Sequence, residues 1–469
     1  MPRSDELAPL EVVPPSSARA PEVPAPPREL GKPEGEFHID VTRYEVDPQA
    51  PPELRAALAR ITAPYVGRNR SFEDLSDAAA EVTRFLQRDL GLYLGYAYLP
   101  EQAPTGGVIR IAVLEGRLDR VVLKWSEGLP VRKEVVEAYL ARLVPGSVLK
   151  VRDVERVVFL VNDLRGITAR FEIEAGAKPG TALLVVTPRA ESRWTGKAEA
   201  DVNGSRFLGP YRLGALVQRN SPFGRGDGLT ATVLTSTTGG LAFALLGYTT
   251  PVGGDGFKLG ASLSAVKYQL NKSEFPLDLN GSAVTANAFA LYPLVRSRNL
   301  NLFTLASFEH KAYDDRQQAV GADQKKRVDS LTLGSSGDLR DSLLSGGVNT
   351  FELNLVSGRL SFAGGPPPGN ASAAAFFKLG YGFTRLQDLL TGRLLAYAAL
   401  RGQHAAQNLD TTEQTRIGGP EGVRAFAPGE GTGDEGDILS LELRLLPPER
   451  WLGRSAREMV ASVFYDVGS

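Results

Sequence analysis

From about residue 192 onward, the chain alternates apolar with polar or small side chains in segments of about ten residues. In the clearest of them Leu439, Leu441, Leu443 and Leu445 fall on one side and Ser440, Glu442 and Arg444 on the other. Phe257, Leu259, Ala261, Leu263 and Ala265 alternate in the same way with Lys258, Gly260, Ser262 and Ser264. Successive side chains of a strand point to opposite faces, so each segment reads as a strand with one apolar and one wet side. Thirteen are predicted, near 192–203, 209–219, 226–236, 240–250, 255–266, 282–293, 299–310, 325–337, 345–356, 373–384, 391–402, 435–446 and 458–467. Their connections alternate in length. Those around 251–254, 294–298, 338–344 and 385–390 are short, whereas those around 271–281, 311–324, 357–372 and 403–434 are long. A membrane-spanning barrel has this asymmetry, and a soluble sandwich has no reason for it. No apolar run reaches the roughly 18–20 residues of a spanning helix, so only a closed barrel could satisfy the backbone in lipid.

Residues 36–189 follow a different rhythm. A strand at 37–44 leads to a short helix at 53–61 and a longer one opening at Ser71, where Asp74 completes a capping-box pattern. Phe72, Leu75, Ala79, Val82, Phe85, Leu86 and Leu90 repeat at the helical period and define one buried face. Strands at 93–99 and 108–114 close the unit. The order then repeats, with a strand at 118–124 and a helix at 131–142. A second helix carries Val151, Val154, Val157, Val158, Val161 and Leu164 on one side, and strands at 168–174 and 181–187 follow. The expected layout is two tandem α+β units, 36–116 and 117–189, each β-α-α-β-β, then an antiparallel barrel over 190–469 with a long loop at 403–434. Residues 1–35 hold nine prolines and few large apolar side chains, which predicts an extended tether.

Composition removes several kinds of chemistry. The 53 basic and 54 acidic side chains nearly cancel, so the basic surplus a nucleic-acid partner requires is missing. Cysteine is absent, which excludes disulfides, thiolate metal sites and cysteine nucleophiles. His38, His310 and His404 are scattered without ligand spacing, and no metal site is expected. The glycine-rich stretch at 429–436 lacks the Lys-Ser/Thr of a phosphate loop, so no cofactor is expected. No carboxylate pair can be assigned catalytic geometry, and the chain is not expected to be an enzyme. Arg225-Gly226-Asp227 has the form of an adhesion tripeptide but falls at a predicted periplasmic turn.

Four motifs narrow the reading further. Gly95-Tyr96-Ala97-Tyr98-Leu99-Pro100-Glu101-Gln102, followed by Gly107-Val108-Ile109-Arg110-Ile111-Ala112-Val113-Leu114-Glu115-Gly116, resembles the first POTRA domain of two-partner secretion transporters. Asn220-Ser221-Pro222-Phe223-Gly224-Arg225-Gly226-Asp227 is similar to the opening of their barrel. Gly418-Gly419-Pro420-Glu421-Gly422-Val423-Arg424-Ala425-Phe426 resembles the superfamily's inward-folded sixth-loop motif, with Ala425 where a glycine is usual. Phe464-Tyr465-Asp466-Val467-Gly468 resembles the aromatic-Asp-x-Gly motif of the thirteenth strand. The resemblance covers residues 36–469 and is to the haemolysin-activator and haemagglutinin-transporter type within the POTRA-bearing barrel superfamily.

That resemblance implies two POTRA domains in the periplasm and a barrel of about 16 strands in the bacterial outer membrane, so about three strands would be missing from this chain. A leader is expected to have been removed or to lie ahead of the first residue, since none is evident. The implied activity is export of an adhesin- or haemolysin-like exoprotein carrying an N-terminal secretion domain. The remaining surroundings would be outer-membrane lipid and lipopolysaccharide. An assembly factor for other outer-membrane proteins and a gated solute pore are the alternatives. Arg424 is expected to fork onto Asp466 as a lumen-loop anchor, with Val423 and Phe426 beside it. Passenger docking is expected at the edge strand 93–99 and the adjoining helix face, through Phe85, Leu86, Tyr93, Tyr96 and Tyr98.

Overall fold

In the computed structural model the described residues are 29–30, 37–103, 105–273, 278–317, 322–367, 369–390 and 392–469. The proline-rich segment lies outside them apart from Glu29 and Leu30. Two compact units are present.

The first unit contains two modules. One comprises β1 (His38–Val41), β2 (Arg43–Val46), α1 (Pro52–Thr62), β3 (Gly67–Ser71), α2 (Phe72–Arg88), β4 (Tyr96–Tyr98) and β5 (Val108–Leu114). The other comprises β6 (Arg117–Leu123), α3 (Lys133–Leu140), α4 (Val151–Asn162), β7 (Ile167–Ala175) and β8 (Thr181–Ala190). β5 lies between parallel β2 and antiparallel β4, and β8 lies likewise between parallel β6 and antiparallel β7. The sequence repeat is therefore a repeat of sheet topology. The expected strand 37–44 is divided at Thr42, whose N–H donates to Gly107 O at 2.7 Å. Ahead of that break β1 pairs with β3, a strand the hydrophobic pattern did not announce.

Helix α2 shows why these modules hold. Ser71 Oγ accepts from the Asp74 N–H at 3.1 Å, and the Asp74 carboxylate accepts from the Ser71 N–H at 2.9 Å, closing the capping box. That backbone bond holds the Asp74 carboxyl below its ordinary pKa. Leu75, Ala78, Ala79, Val82 and Leu86 are then buried on one face. Each large apolar side chain buried there contributes about 1.5–3 kcal/mol.

The second unit is a single 13-stranded antiparallel sheet. In chain order it runs β9 (Trp194–Asp201), β10 (Arg212–Asn220), β11 (Gly228–Ser236), β12 (Leu241–Pro251), β13 (Lys258–Gln269), β14 (Leu279–Arg296), β15 (Leu300–Gln317), β16 (Ala322–Asp341), β17 (Gly347–Phe362), β18 (Ala375–Leu390) and β19 (Leu394–Ala405). Two short strands, β20 (Thr415–Arg416) and β21 (Thr432–Gly433), pair only with each other inside the following loop. The sheet resumes with β22 (Gly436–Leu445) and, past α5 (Glu449–Leu452), ends with β23 (Ala461–Gly468). All thirteen predicted strands are present. Leu263, Leu333 and Leu443 point to the apolar face and are more than half exposed, while Asn301 and Ser330 on the opposite face are buried.

Two expected long loops shrink. Pairing of β15 with β16 reaches Gln317 and Ala322, and β17 extends to Phe362. Apolar alternation stops there, but charged neighbours such as Arg316, Asp314 and Lys325 sustain the ladder in water. The adhesion-like tripeptide also finds a structural role. Asp227 is fully buried, accepting from the Phe223 and Arg225 N–H groups and from the Tyr248 hydroxyl.

Candidate functional site

The loop between β19 and β22 is built around a tight turn. Val423 N donates to Ile417 O at 2.8 Å, Gly422 N to Gly419 O at 2.9 Å, and Gly419 N to Phe426 O at 3.1 Å. Only glycine fits at 422, because a Cβ there would lie 1.9 Å from Ile417 O. Ala425 has no positive φ, so alanine is accommodated without strain in the position usually held by glycine.

This turn delivers Arg424 to the sheet. Its Nε and one terminal nitrogen reach the two oxygens of Asp466 at 2.7 and 2.8 Å, and its main-chain N–H donates to the same carboxylate at 3.2 Å. Such a two-pronged contact fixes orientation as well as position. Glu442 on β22 stands 3.6 Å from the guanidinium, which lies 3.6 Å from the centre of the Phe464 ring. The Asp466 side chain is 3% exposed and that of Glu442 10%. The Asp466 hydrogen bond raises the pKa of Arg424 above its ordinary value, so the cation is permanent. Asp466 and Phe464 alternate with outward Val463, Tyr465 and Val467, which puts both contacts on the inner face.

Gly468 belongs to the same construction. A Cβ at that position would meet Ile417 Cγ2 at 2.4 Å and Val423 Cγ2 at 2.9 Å. The glycine of the aromatic-Asp-x-Gly motif is thus the seat for the loop turn, with buried Val423 packed on it. Phe426 does not join this packing through its ring, which is 56% exposed; its carbonyl serves the turn instead. Sequence reasoning missed Glu442 and Gly468 as parts of the site. Glu442 sits on the polar row of its alternating strand, the one signal that could have raised it.

The expected docking residues separate. Tyr96 and Tyr98 stack at 6.2 Å, half-buried on β4. Phe85 is half-buried against the core of its module, and Leu86 is fully buried within it and cannot meet a partner. Tyr93 lies outside β4, its N–H donating to Leu149 O of the second module at 2.8 Å. The outer edge of β4 is also already occupied. Gly95 O accepts from Gln87, Ala97 N donates to Thr83 Oγ1, and Leu99 O accepts from the Leu30 N–H. An edge so satisfied offers little to an added strand, which corrects the expectation for 93–99. In the second module Asn162 seals only Ala169, through bonds of 2.7 and 3.3 Å. By strand parity the main-chain groups of Phe171 and Ile173 face outward beyond it, with no partner among the described residues.

Residues 180–469 match the haemolysin secretion/activation protein family ShlB/FhaC/HecB, and residues 39–116 match the ShlB-type POTRA domain. The chain belongs to this family. Like its family, it is an outer-membrane translocator that works with a secreted partner protein, with POTRA structure on the periplasmic side. The heme/hemopexin transporter protein HuxB of Haemophilus influenzae is 28% identical over 417 residues, covering 88% of this chain and 72% of that protein. The outer membrane transporter CdiB of Dickeya dadantii is 24% identical over 397 residues, covering 82% and 68%. Among solved structures, CdiB from Escherichia coli aligns with a TM-score of 0.69 at 22% identity, over 91% of this chain and 79% of that one. BamA from Haemophilus ducreyi aligns at 0.51 with 14% identity, over 92% and 87%. These likenesses establish the shared fold.

Proposed function

We propose that the lumen loop, pinned through Arg424 to Asp466, Glu442 and Phe464, is the gate past which an exoprotein is exported. The observation carrying this reading is the two-pronged Arg424–Asp466 contact on the inner face, made by a loop joining two neighbouring strands of the sheet. A fixed loop there narrows the lumen and argues against an open solute pore. Residues 36–116 and 117–189 are both taken as POTRA domains and 190–469 as barrel, with 403–434 as the gating loop. The second module offers the docking edge. An extended segment of the passenger's N-terminal secretion domain would add to β7 beyond Ala169, where main-chain groups give affinity with little sequence demand. Tyr96 and Tyr98 would then contribute side-chain contacts rather than an open edge. In this reading the chain performs no chemistry, and folding of the passenger outside draws it through. Outer-membrane lipid and lipopolysaccharide surround the apolar face, and nucleic acid has no part.

Conductance in planar bilayers tests the gate. The unaltered transporter, with its barrel closed, should show small, intermittent currents. Arg424→Ala should show larger and steadier ones, approaching those of a chain lacking 403–434. Identical traces for all three would remove the gate.

A further inference from the structure

The same loop meets the sheet a second time, ahead of Arg424 in sequence. Glu413 lies between two lysines from different strands: Lys311 of β15 at 2.9 Å and Lys378 of β18 at 2.9 Å, the latter also donating to Glu413 O at 2.8 Å. Asp410 accepts from Lys326 of β16 at 2.7 Å and from its own turn, through the Thr412 hydroxyl and N–H. The acidic side chains are 4% and 10% exposed, and the lysines 5–18%. Between these ion pairs Leu409 closes an apolar cluster of Val328, Leu360 and Phe376 on the inner face. Asp434 on the returning limb accepts from Leu409 N at 3.0 Å and from Gln414 at 2.9 Å, tying the two limbs together.

We infer that residues 409–413 form a fixed clamp at the root of the loop, distinct from the contact at its tip, so that the loop swings about its root rather than leaving the lumen whole. Three observations carry this. The root is more deeply buried than Arg424, whose side chain is 29% exposed. It is divided among three strands, so no single strand movement frees it. Lys311 also has Glu309 at 3.0 Å and Lys326 has Asp315 at 3.9 Å, but Lys378 pairs with Glu413, and removing that carboxylate would leave a buried cation uncompensated, which is far costlier than breaking an exposed pair. Lys311, Lys326 and Lys378 are thus positioning residues for the gating loop. The inference concerns the loop of the export reading, but the clamp itself is a property of the resting protein and is testable without a passenger.

The absence of native cysteine makes spin labelling direct. Nitroxides would be placed at Thr411 or Ala425, each paired with one at outward-facing Leu333, and distances measured by double electron–electron resonance on the full chain in detergent. Arg424→Ala should at least double the width of the 425–333 distribution and leave the 411–333 distribution unchanged. Asp410→Asn with Glu413→Gln should broaden 411–333 at least as much. Should that double variant fail to assemble, Lys378→Met is examined in the same way and should also broaden 411–333. Equal broadening of both pairs in Arg424→Ala, or an unchanged 411–333 distance when the root is altered, would overturn the clamp. An unchanged conductance in Arg424→Ala would count against the gate alone, so the two failures are distinguishable.

Discussion

At the scale of single residues, the site depends on shape as much as on charge. Arg424 combines a planar fork on Asp466 with a ring face at Phe464. Lysine keeps the charge but cannot reproduce either geometry. Arg424→Lys should therefore open the conductance nearly as far as Arg424→Ala, and a wild-type trace would mean that charge alone suffices. Gly468→Val should act like the arginine variants although it removes no charge, because its side chain would occupy the space of Ile417 and Val423. Closed wild-type currents in that variant would separate the glycine from the gate. In the first module, Ser71→Ala removes the acceptor for the Asp74 N–H. Loss of such a cap costs about 1 kcal/mol, so amide exchange in α2 should quicken about fivefold.

At the scale of elements, the strands were the most legible part of the sequence. The periodic side chains of Leu439–Leu445 report orientation directly, and the structure keeps it. The ends were less legible. Charged residues such as Arg316 and Asp323 read as loop, yet they extend a hairpin, because a ladder needs backbone partners and not an apolar face. The Arg424–Asp466 pairing came from two motifs, and the structure brings both together. The loop root gave no such signal: Asp410 and Lys326 are 84 residues apart, and Glu413 and Lys311 102, separations that no local pattern spans. The sealed edge of β4 was equally hidden, since Thr83 and Gln87 read only as polar helix positions.

Two expectations belong at this scale. Ile173→Pro would remove one outward N–H from β7 while sparing the ladder to β8, as edge strands permit. Binding of the passenger's secretion domain should weaken at least tenfold, and unchanged binding would free β7 of the docking role. Acid should loosen the loop root. Burial pushes the Glu413 carboxyl up, but Lys311 and Lys378 outweigh it and leave its pKa lowered; Lys326 and Thr412 do the same for Asp410 against its own burial. Groups with lowered folded pKa values stabilise above their ordinary values, near 4, and lose that contribution as pH falls through the folded ones. The 411–333 distance should stay narrow from neutrality down to about pH 5 and broaden only in stronger acid. Broadening near neutrality would contradict the assigned ion pairs.

For the whole molecule, a sheet with an apolar outer face satisfies lipid, and a polar inner face accepts a loop held at two places. A ShlB-type POTRA domain precedes it in the chain, and as proposed that region is the platform for a partner chain. The parts together describe a translocator that, on the reading proposed above, is kept narrow at rest. The most direct test is secretion in cells that lack any related transporter and express a candidate exoprotein with an N-terminal secretion domain. The exoprotein should appear in the medium only when the transporter is also expressed, and far less of it with Arg424→Ala. Equal amounts in the medium with and without the transporter would contradict the account.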